Sequence, residues 1–470
     1  MRRISVGTVK CASGVLRDVT RRLRRASVFA AIAALAVGSP TLGEATVVPF
    51  LAVAGIAFFG IREGPLFETL ALPGDREDGR LYGVVAFALA MSGLALFATI
   101  PGEPLPYGAF VAAALVVGVG RLGRAIVATR SDAEFPLVTG YLIVGATAAV
   151  VGQTLVATQL VLGVDPTAID AVSTAVMSDL PTFVFLGSVA ALTAGLIRSL
   201  VYDRDAHLTV VIVAFVTWAF VLLDPAVSAV GIAAALGVTV ALGYASYALD
   251  TASVPGMLTG VLLTLLTIVL GGVGWFLTLT AFYAVGGLAS KYRFDEKTKR
   301  GVAQENQGAR GTGNVLANSA VALVALVGYA ATDHVDVSAA LFGFAFAGAI
   351  ATALADTLSS EIGGLYDDPR LITTLAPVEA GTDGAVTWQG GLAGLAGAVV
   401  IAVIAAVGMP LGDPVVAGAV VVAAGVMGMT VDSLLGALIE GDRIGNQAVN
   451  FLATFAGAVV AVSVAVAVVV

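Results

Sequence analysis

The sequence predicts an all-α, polytopic transmembrane bundle, and three observations predict it. Hydrophobic residues make up 58% of the chain and charged residues only 12%, against roughly 25% charged in an ordinary soluble domain. Mean hydropathy is +0.98. Apolar runs of roughly 17–25 residues recur from residue 27 onward, each long enough to cross a hydrocarbon core of about 30 Å. The basic residues, finally, fall into alternate connections between those runs.

The runs place about fifteen helices, at roughly 27–39, 46–61, 81–100, 107–126, 137–163, 171–197, 207–223, 226–247, 255–271, 274–290, 313–331, 338–360, 388–408, 414–437 and 449–470. They are rich in Ala, Val, Leu and Gly, and the 56 glycines suit helices packed through small residues, because lipid supplies no hydrophobic drive between helices. With the N-terminus in the cytoplasm, Arg62, Arg76, Arg80, Arg121, Arg124, Arg130, Arg198, Arg204, Lys291 to Arg310, Arg370 and Arg443 all lie on the cytoplasmic side. The alternate connections Gly102–Gly108, Val164–Asp170, Thr332–Asp336 and Pro410–Asp413 carry no lysine or arginine. This pattern predicts a multi-pass protein of the cell membrane with its polar loops facing the cytoplasm and its C-terminus outside.

Residues 1–26 read as a basic cytoplasmic tail. Arg21 to Arg25 ahead of a short apolar run ending at Gly38-Ser39-Pro40 also fit a signal peptide, and an uncleaved first helix is the expectation. The single cysteine, Cys11, excludes an intramolecular disulfide. A net charge of −8, with arginine well above lysine, suits a salt-loving archaeon and argues against nucleic acid, which requires clustered basic surface.

The chain divides into a nearly featureless membrane half, 27–250, and a half, 251–470, whose cytoplasmic loops are dense in Asp, Glu, Asn, Thr, Gly and Arg. Polar groups at membrane depth are costly and are functional candidates for that reason. In the second half Asp356-Thr-Leu and Asp432-Ser433-Leu each close an outside-to-inside helix, while Asn314-Val-Leu-Ala-Asn318 and Asn446-Gln-Ala-Val-Asn450 each open an inside-to-outside one. If the four ends converge, Asp356 and Asp432 offer the hard oxygen ligands that Mg²⁺ takes together with a substrate phosphate. Arg310 and Arg370 then suit phosphate oxygens. The plainer readings are also open: Asn314 as a helix cap, Asn318 bonded to a neighbouring helix, and the aspartates solvated or arginine-paired at helix ends.

Other signals carry less. Gly118-Val-Gly120-Arg-Leu-Gly123 matches a dinucleotide fingerprint, but it sits in an apolar helix with no strand before it. His207 and His334 lie on opposite sides of the membrane without Cys or His partners at metal spacing, and no Walker-type lysine loop occurs.

Taken in order, Gly271-Gly-Val-Gly-Trp275-Phe, Lys291-Tyr-Arg-Phe, Glu305-Asn306-Gln-Gly-Ala-Arg310, Asn314 to Asn318, Ala355-Asp356-Thr357, Glu361-Ile-Gly, Pro369-Arg370-Leu-Ile-Thr373-Thr374, Gly381-Thr382-Asp383-Gly384, Asp432 to Gly436 and Asn446 to Asn450 closely resemble the DUF92 family. That family includes transmembrane protein 19 and the plastid phytyl-phosphate kinases. The resemblance covers about residues 250–470. It implies an integral membrane kinase passing a phosphoryl group from a nucleoside triphosphate, CTP or ATP, to a prenyl monophosphate such as phytyl or geranylgeranyl phosphate. Asp356 and Asp432 would hold Mg²⁺ and, with Glu305 and Arg310, carry catalysis. Substrate would be held by Asn306, Asn314, Asn318, Glu361, Arg370, Thr382, Asp383, Ser433, Asn446 and Asn450. Residues near Gly118 to Gly145 are similar in texture to dolichol kinases but lack their acidic signature, so the first half is assigned no active site. The rival readings are a transporter or lipid flippase, and a lipid cytidylyltransferase built from similar groups.

Overall fold

The computed structural model describes residues 6–167, 169–200, 205–250, 252–303, 311–441 and 443–468, and it is helical almost throughout. Thirteen helical segments among these are long and apolar enough to cross a membrane, fewer than the fifteen expected. The expected spans 27–39 and 46–61 fall in one candidate segment, Val19–Gly60. It is interrupted by short 3-10 turns and by Gly43, which holds φ at 53°. The expected span 81–100 is a shorter apolar helix, Tyr82–Phe97, because Pro101 and the turn before it end the run early. Contacts divide the chain into two units, Met1–Ala233 and Ala234–Val470.

The first unit comprises α1 (Val6–Ala34), α2 (Ser39–Leu42), α3 (Val47–Gly55), α4 (Gly64–Leu70), α5 (Pro73–Asp78), α6 (Tyr82–Phe97), α7 (Tyr107–Val127), α8 (Glu134–Val164), α9 (Ile169–Leu200) and α10 (Ala206–Leu223). The described part of the basic tail is thus helical and continuous with the first apolar run. α7 is the central helix: Ala109 to Val117 are buried on every face, and α1, α8, α9 and α10 pack around it. Its glycines explain the accidental fingerprint. At Gly118 a side chain would strike Phe29 and Ala33 of α1, at Gly120 it would meet the Tyr141 ring at 3.0 Å, and Gly123 abuts the carbonyl of Gly140. These are close helix crossings through small residues, the packing that lipid-embedded helices depend on.

The second unit comprises most of α11 (Ala229–Ala248), then α12 (Val254–Leu266), α13 (Val273–Lys291), α14 (Phe294–Lys299), α15 (Thr312–Ala330), α16 (Ala339–Gly363), α17 (Trp388–Gly408), α18 (Pro414–Ile439) and α19 (Asn446–Val468). Local chemistry sets several starts. Ser253 and Thr387 accept N–H bonds from Gly256 and Gly390, and Asp413 accepts two, from Val415 and Val416, with Pro414 at the first helical position. Among the described residues, one two-stranded sheet departs from the all-helical expectation: β1 (Arg370–Leu371) pairs antiparallel with β2 (Ala385–Val386) in the loop between α16 and α17.

The helices alternate in direction. At one end Gly274 of α13 meets Gly408 of α17, Gly328 of α15 meets Phe342 of α16, and Trp275 stacks between Tyr329 and Phe346 at 4.6 and 4.7 Å. At the other end Gly313 of α15 meets Gln447 of α19, and Gly363 of α16 lies 3.2 Å from Gly390 of α17 by its absent side chain. Among the described residues, the connections that carry lysine or arginine, those after α13, α16 and α18, lie at this second, polar end.

Candidate functional site

The site begins with a parallel pair of helices. α16 and α18 both run toward the polar end, and they touch where Thr352 lies against Gly428. The Thr352 hydroxyl donates within its own helix to the Gly348 carbonyl and lies 3.3 Å from the Ala424 carbonyl of α18. Three residues before Gly428, a side chain on Gly425 would come within 2.8 Å of the Ala398 methyl and 3.1 Å of that of Ala351. Four residues after Thr352 is Asp356, and four after Gly428 is Asp432. Since i and i+4 share a helix face, a contact at Thr352–Gly428 between parallel helices brings the two aspartates together one turn later.

Their carboxyl groups do meet, within hydrogen-bonding reach of each other. Each stands seven residues before the last residue of its helix, about 10 Å in from the polar end at 1.5 Å per residue. Asp432 Oδ2 is buried and has no hydrogen-bond partner among the described residues. Glu361 and Glu440 are near enough for their charges to bear on Asp356.

Two of the surrounding groups are absent from the residues that sequence reasoning selected. Lys297, on α14, is 1% exposed and forms a 2.5 Å ion pair with Glu361 Oε2. Its ammonium also donates to the carbonyls of Ala289, at 2.7 Å, and Ser290. Glu361 Oε1, also buried, has no hydrogen-bond partner among the described residues. Glu440, just past α18, hydrogen-bonds with Asn446 at the start of α19 and lies near Asp383. Burial and the Asp383 charge raise its pKa above the ordinary value, while the Asn446 bond works in the opposite direction.

Glycine places Asp383 there. Gly384 has φ 73°, and a side chain on it would come within 2.5 Å of Ala437 and 2.6 Å of the Ser433 carbonyl. Only a residue without Cβ lets the loop seat on α18, which carries Asp383 to Glu440 and Gly441.

The remaining sequence-read residues are distributed unevenly. Asn314 is the third residue of α15, which Gly311 precedes with no side-chain cap, so the capping role does not hold. The buried Asn318 donates to the Asn314 carbonyl one turn back at 2.9 Å, within its own helix. Asn450 is oriented the same way, its amide 3.3 Å from Asn446 Oδ1. The Ser433 hydroxyl donates to Met429 in α18. Arg370 and Thr382 are exposed and bond inside their own loop, to the carbonyls of Leu375 and Glu379 at 2.8 Å each. Glu305, Asn306 and Arg310 lie outside the described residues. The structure therefore brings together Asp356, Asp432, Glu361, Asp383 and Asn446, while the bonds of Arg370 and Thr382 stay within their own loop.

Among the described residues no group of three or more His, Cys, Asp or Glu is arranged as a metal cage. The pair nevertheless fits Mg²⁺ in its donor chemistry. Two adjacent carboxylates, one with a buried oxygen that has no hydrogen-bond partner among the described residues, suit Mg²⁺, which characteristically takes one or two carboxylates and completes its shell with waters and substrate phosphate.

Comparison with known proteins covers this same unit. Residues 237–458 match the family described as integral membrane protein DUF92. A membrane protein of Methanocaldococcus jannaschii described as uncharacterized is 36% identical over 200 residues, which is 41% of this chain and 76% of that protein. An uncharacterized membrane protein of Synechocystis is 30% identical over 203 residues, 42% of this chain and 77% of the relative. Protein VTE6, chloroplastic, of Arabidopsis thaliana is 32% identical over 223 residues, 45% of this chain and 64% of the relative. No solved structure gives a significant match. The chain belongs to the DUF92 family of integral membrane proteins.

Proposed function

We propose that this protein is a prenyl-phosphate kinase of the cell membrane, with its site at the cytoplasmic interface. One observation carries the reading: Asp356 and Asp432 meet about 10 Å inside the polar end of the second unit, with a buried carboxylate oxygen that has no partner among the described residues. The resemblance to the plastid phytyl-phosphate kinases supports the same activity. The lysines and arginines at that end of the bundle support the cytoplasmic placement.

In this reading the prenyl tail lies among the helices and the phosphate headgroup reaches the aspartate pair. An oxygen of the prenyl monophosphate attacks the γ-phosphorus of CTP or ATP, the bond to the β–γ bridging oxygen breaks, and prenyl diphosphate and nucleoside diphosphate result. The acceptor is already ionised, so no strong general base is required; positioning and charge stabilisation suffice. Asp356 and Asp432 would hold Mg²⁺, whose bound charge offsets that of the phosphates. Arg370, with four of its five guanidinium donors beyond its Leu375 bond, and Arg310 would take phosphate oxygens. Asn446, Asn314, Asp383 and Glu305 would orient the headgroup and nucleotide. Lys297 pairs with Glu361, so the charge of the aspartate pair would be left to the cation.

The test uses membranes carrying the protein, geranylgeranyl or phytyl monophosphate, Mg²⁺ and CTP or ATP. Prenyl diphosphate with nucleoside diphosphate is the expected result. Pyrophosphate release with a CMP-linked lipid would instead establish a cytidylyltransferase. No product with any nucleotide, from protein shown to be folded, would overturn the enzyme and favour transport or lipid flipping.

A further inference from the structure

Two helices of the second unit begin side by side at its polar end. α15 starts at Thr312 and α19 at Asn446, both run away from that end, and a side chain on Gly313 would strike the Gln447 amide. Each start presents N–H groups that have no acceptor inside the helix, together with about half a positive charge from the aligned peptide dipoles. α12 and α17, which start at the same end, are capped by Ser253 and Thr387. α15 follows Gly311 and has no side-chain cap. At the first position of α19 the Asn446 side chain is engaged elsewhere, bonding Glu440 and facing the Asn450 amide at 3.3 Å.

A buried hydroxyl at this place points independently to a ligand. Thr312 is 8% exposed, and its hydroxyl has no hydrogen-bond partner among the described residues. The buried hydroxyls of Ser290, Ser319 and Thr352 each donate to the carbonyl one turn back in their own helices. Thr312 is the first residue of α15 and has no helical carbonyl behind it. Because Cα–Cβ bonds tilt toward a helix's N-terminus, its side chain is carried toward the open end, where the free N–H groups also point. The acids are close by: Glu440, bonded to Asn446, bears electrostatically on both Asp356 and Asp432. We propose that the paired starts of α15 and α19 bind a substrate phosphate, the Thr312 hydroxyl and the first-turn N–H groups donating to its oxygens, beside the aspartate pair. Anions suit helix starts for the same reason in general. The inference rests on the kinase reading, and the phosphate belongs either to the prenyl monophosphate or to the nucleotide.

The experiment uses the full-length protein in a non-ionic maltoside detergent with Mg²⁺. Calorimetric titration is run with geranylgeranyl monophosphate alone in one arm and with CTP or ATP alone in the other, so that no transfer occurs, and thermal unfolding is followed without either. Thr312→Val, of nearly the same shape, removes a buried unbonded hydroxyl and should unfold at or above the wild-type temperature. The same variant should bind one of the two probes roughly tenfold to a hundredfold more weakly, as expected for losing a hydrogen bond to a charged group. Thr312→Ser, which keeps the hydroxyl, should bind as the wild type does. Weakening confined to the prenyl arm assigns the acceptor phosphate to the paired helix starts, and weakening confined to the nucleotide arm assigns the donor's. Equal binding of both probes by the wild type and folded Thr312→Val would overturn the proposal and leave the kinase reading standing. Binding of neither probe by the wild type would overturn both.

Discussion

Replacing Lys297 with methionine should be among the most damaging single changes in the second unit. The lysine and Glu361 are 1% and 3% exposed as a pair, and the ammonium is satisfied by one carboxylate oxygen and two carbonyls. Methionine preserves most of the volume but leaves the Glu361 carboxylate buried without a counter-charge, and breaking a buried pair in this way costs about 3–5 kcal/mol. At roughly 2–4 °C per kcal/mol for a domain of 150–250 residues, the midpoint should fall by about 6–20 °C. Thermal unfolding in detergent, read by light scattering and intrinsic fluorescence, gives the number. The double variant Lys297→Met, Glu361→Leu should recover most of the loss, because an apolar pair of similar volume is often as stable as a buried ion pair. A Lys297→Met midpoint matching a loss below about 1 kcal/mol, the range of exposed ion pairs, would refute the reasoning. So would a double variant no more stable than the single one.

Three further outcomes follow from the same geometry. Gly384→Ala should destabilise the second unit by about 1–3 kcal/mol, because φ is positive and the methyl would strike Ala437 and Ser433; unfolding at wild-type temperature would contradict the seating of the loop on α18. Glu440 binds its proton more tightly folded than unfolded, so it contributes stability at acid pH that is lost as pH rises through its raised pKa. Glu440→Gln should therefore be more stable than the wild type at neutral pH in the presence of chelator, with the difference vanishing below the ordinary glutamate range; a constant difference across pH would count against it. Asp432→Asn should weaken Mn²⁺ binding at least tenfold, measured by paramagnetic resonance on nucleotide-free protein.

Period and charge made the bundle readable from sequence, since lipid imposes helices of a set length and segregates arginine. The count was less secure at Val19–Gly60, where short turns rather than a polar loop separate two apolar runs. The aspartate pair was legible because Asp-Thr-Leu and Asp-Ser-Leu lie on two parallel helices, each aspartate seven residues before the last residue of its helix, so equal spacing from the helix ends gives equal depth. Lys297 was not, because nothing in Lys291 to Arg300 distinguishes the one lysine that folds inward from its exposed neighbours. Glu440 sits one residue past an apolar run and resembled a solvated loop acid; its place is set by Asn446 and by the Gly384 seat, both distant in sequence or visible only in three dimensions. Arg370 and Thr382 illustrate the reverse case. Their residue types suit phosphate, yet short-range hairpin and turn bonds engage them locally.

The most direct test of the central claim follows the γ-phosphate. Membranes containing the wild type or Asp356→Asn are given γ-labelled CTP or ATP with Mg²⁺ and geranylgeranyl or phytyl monophosphate, and the lipid fraction is resolved. Label in the prenyl diphosphate with the wild type, lost in the folded Asp356→Asn variant, is the predicted result. Label reaching the lipid equally in both, or in neither, would contradict a phosphoryl-transfer site built on the aspartate pair.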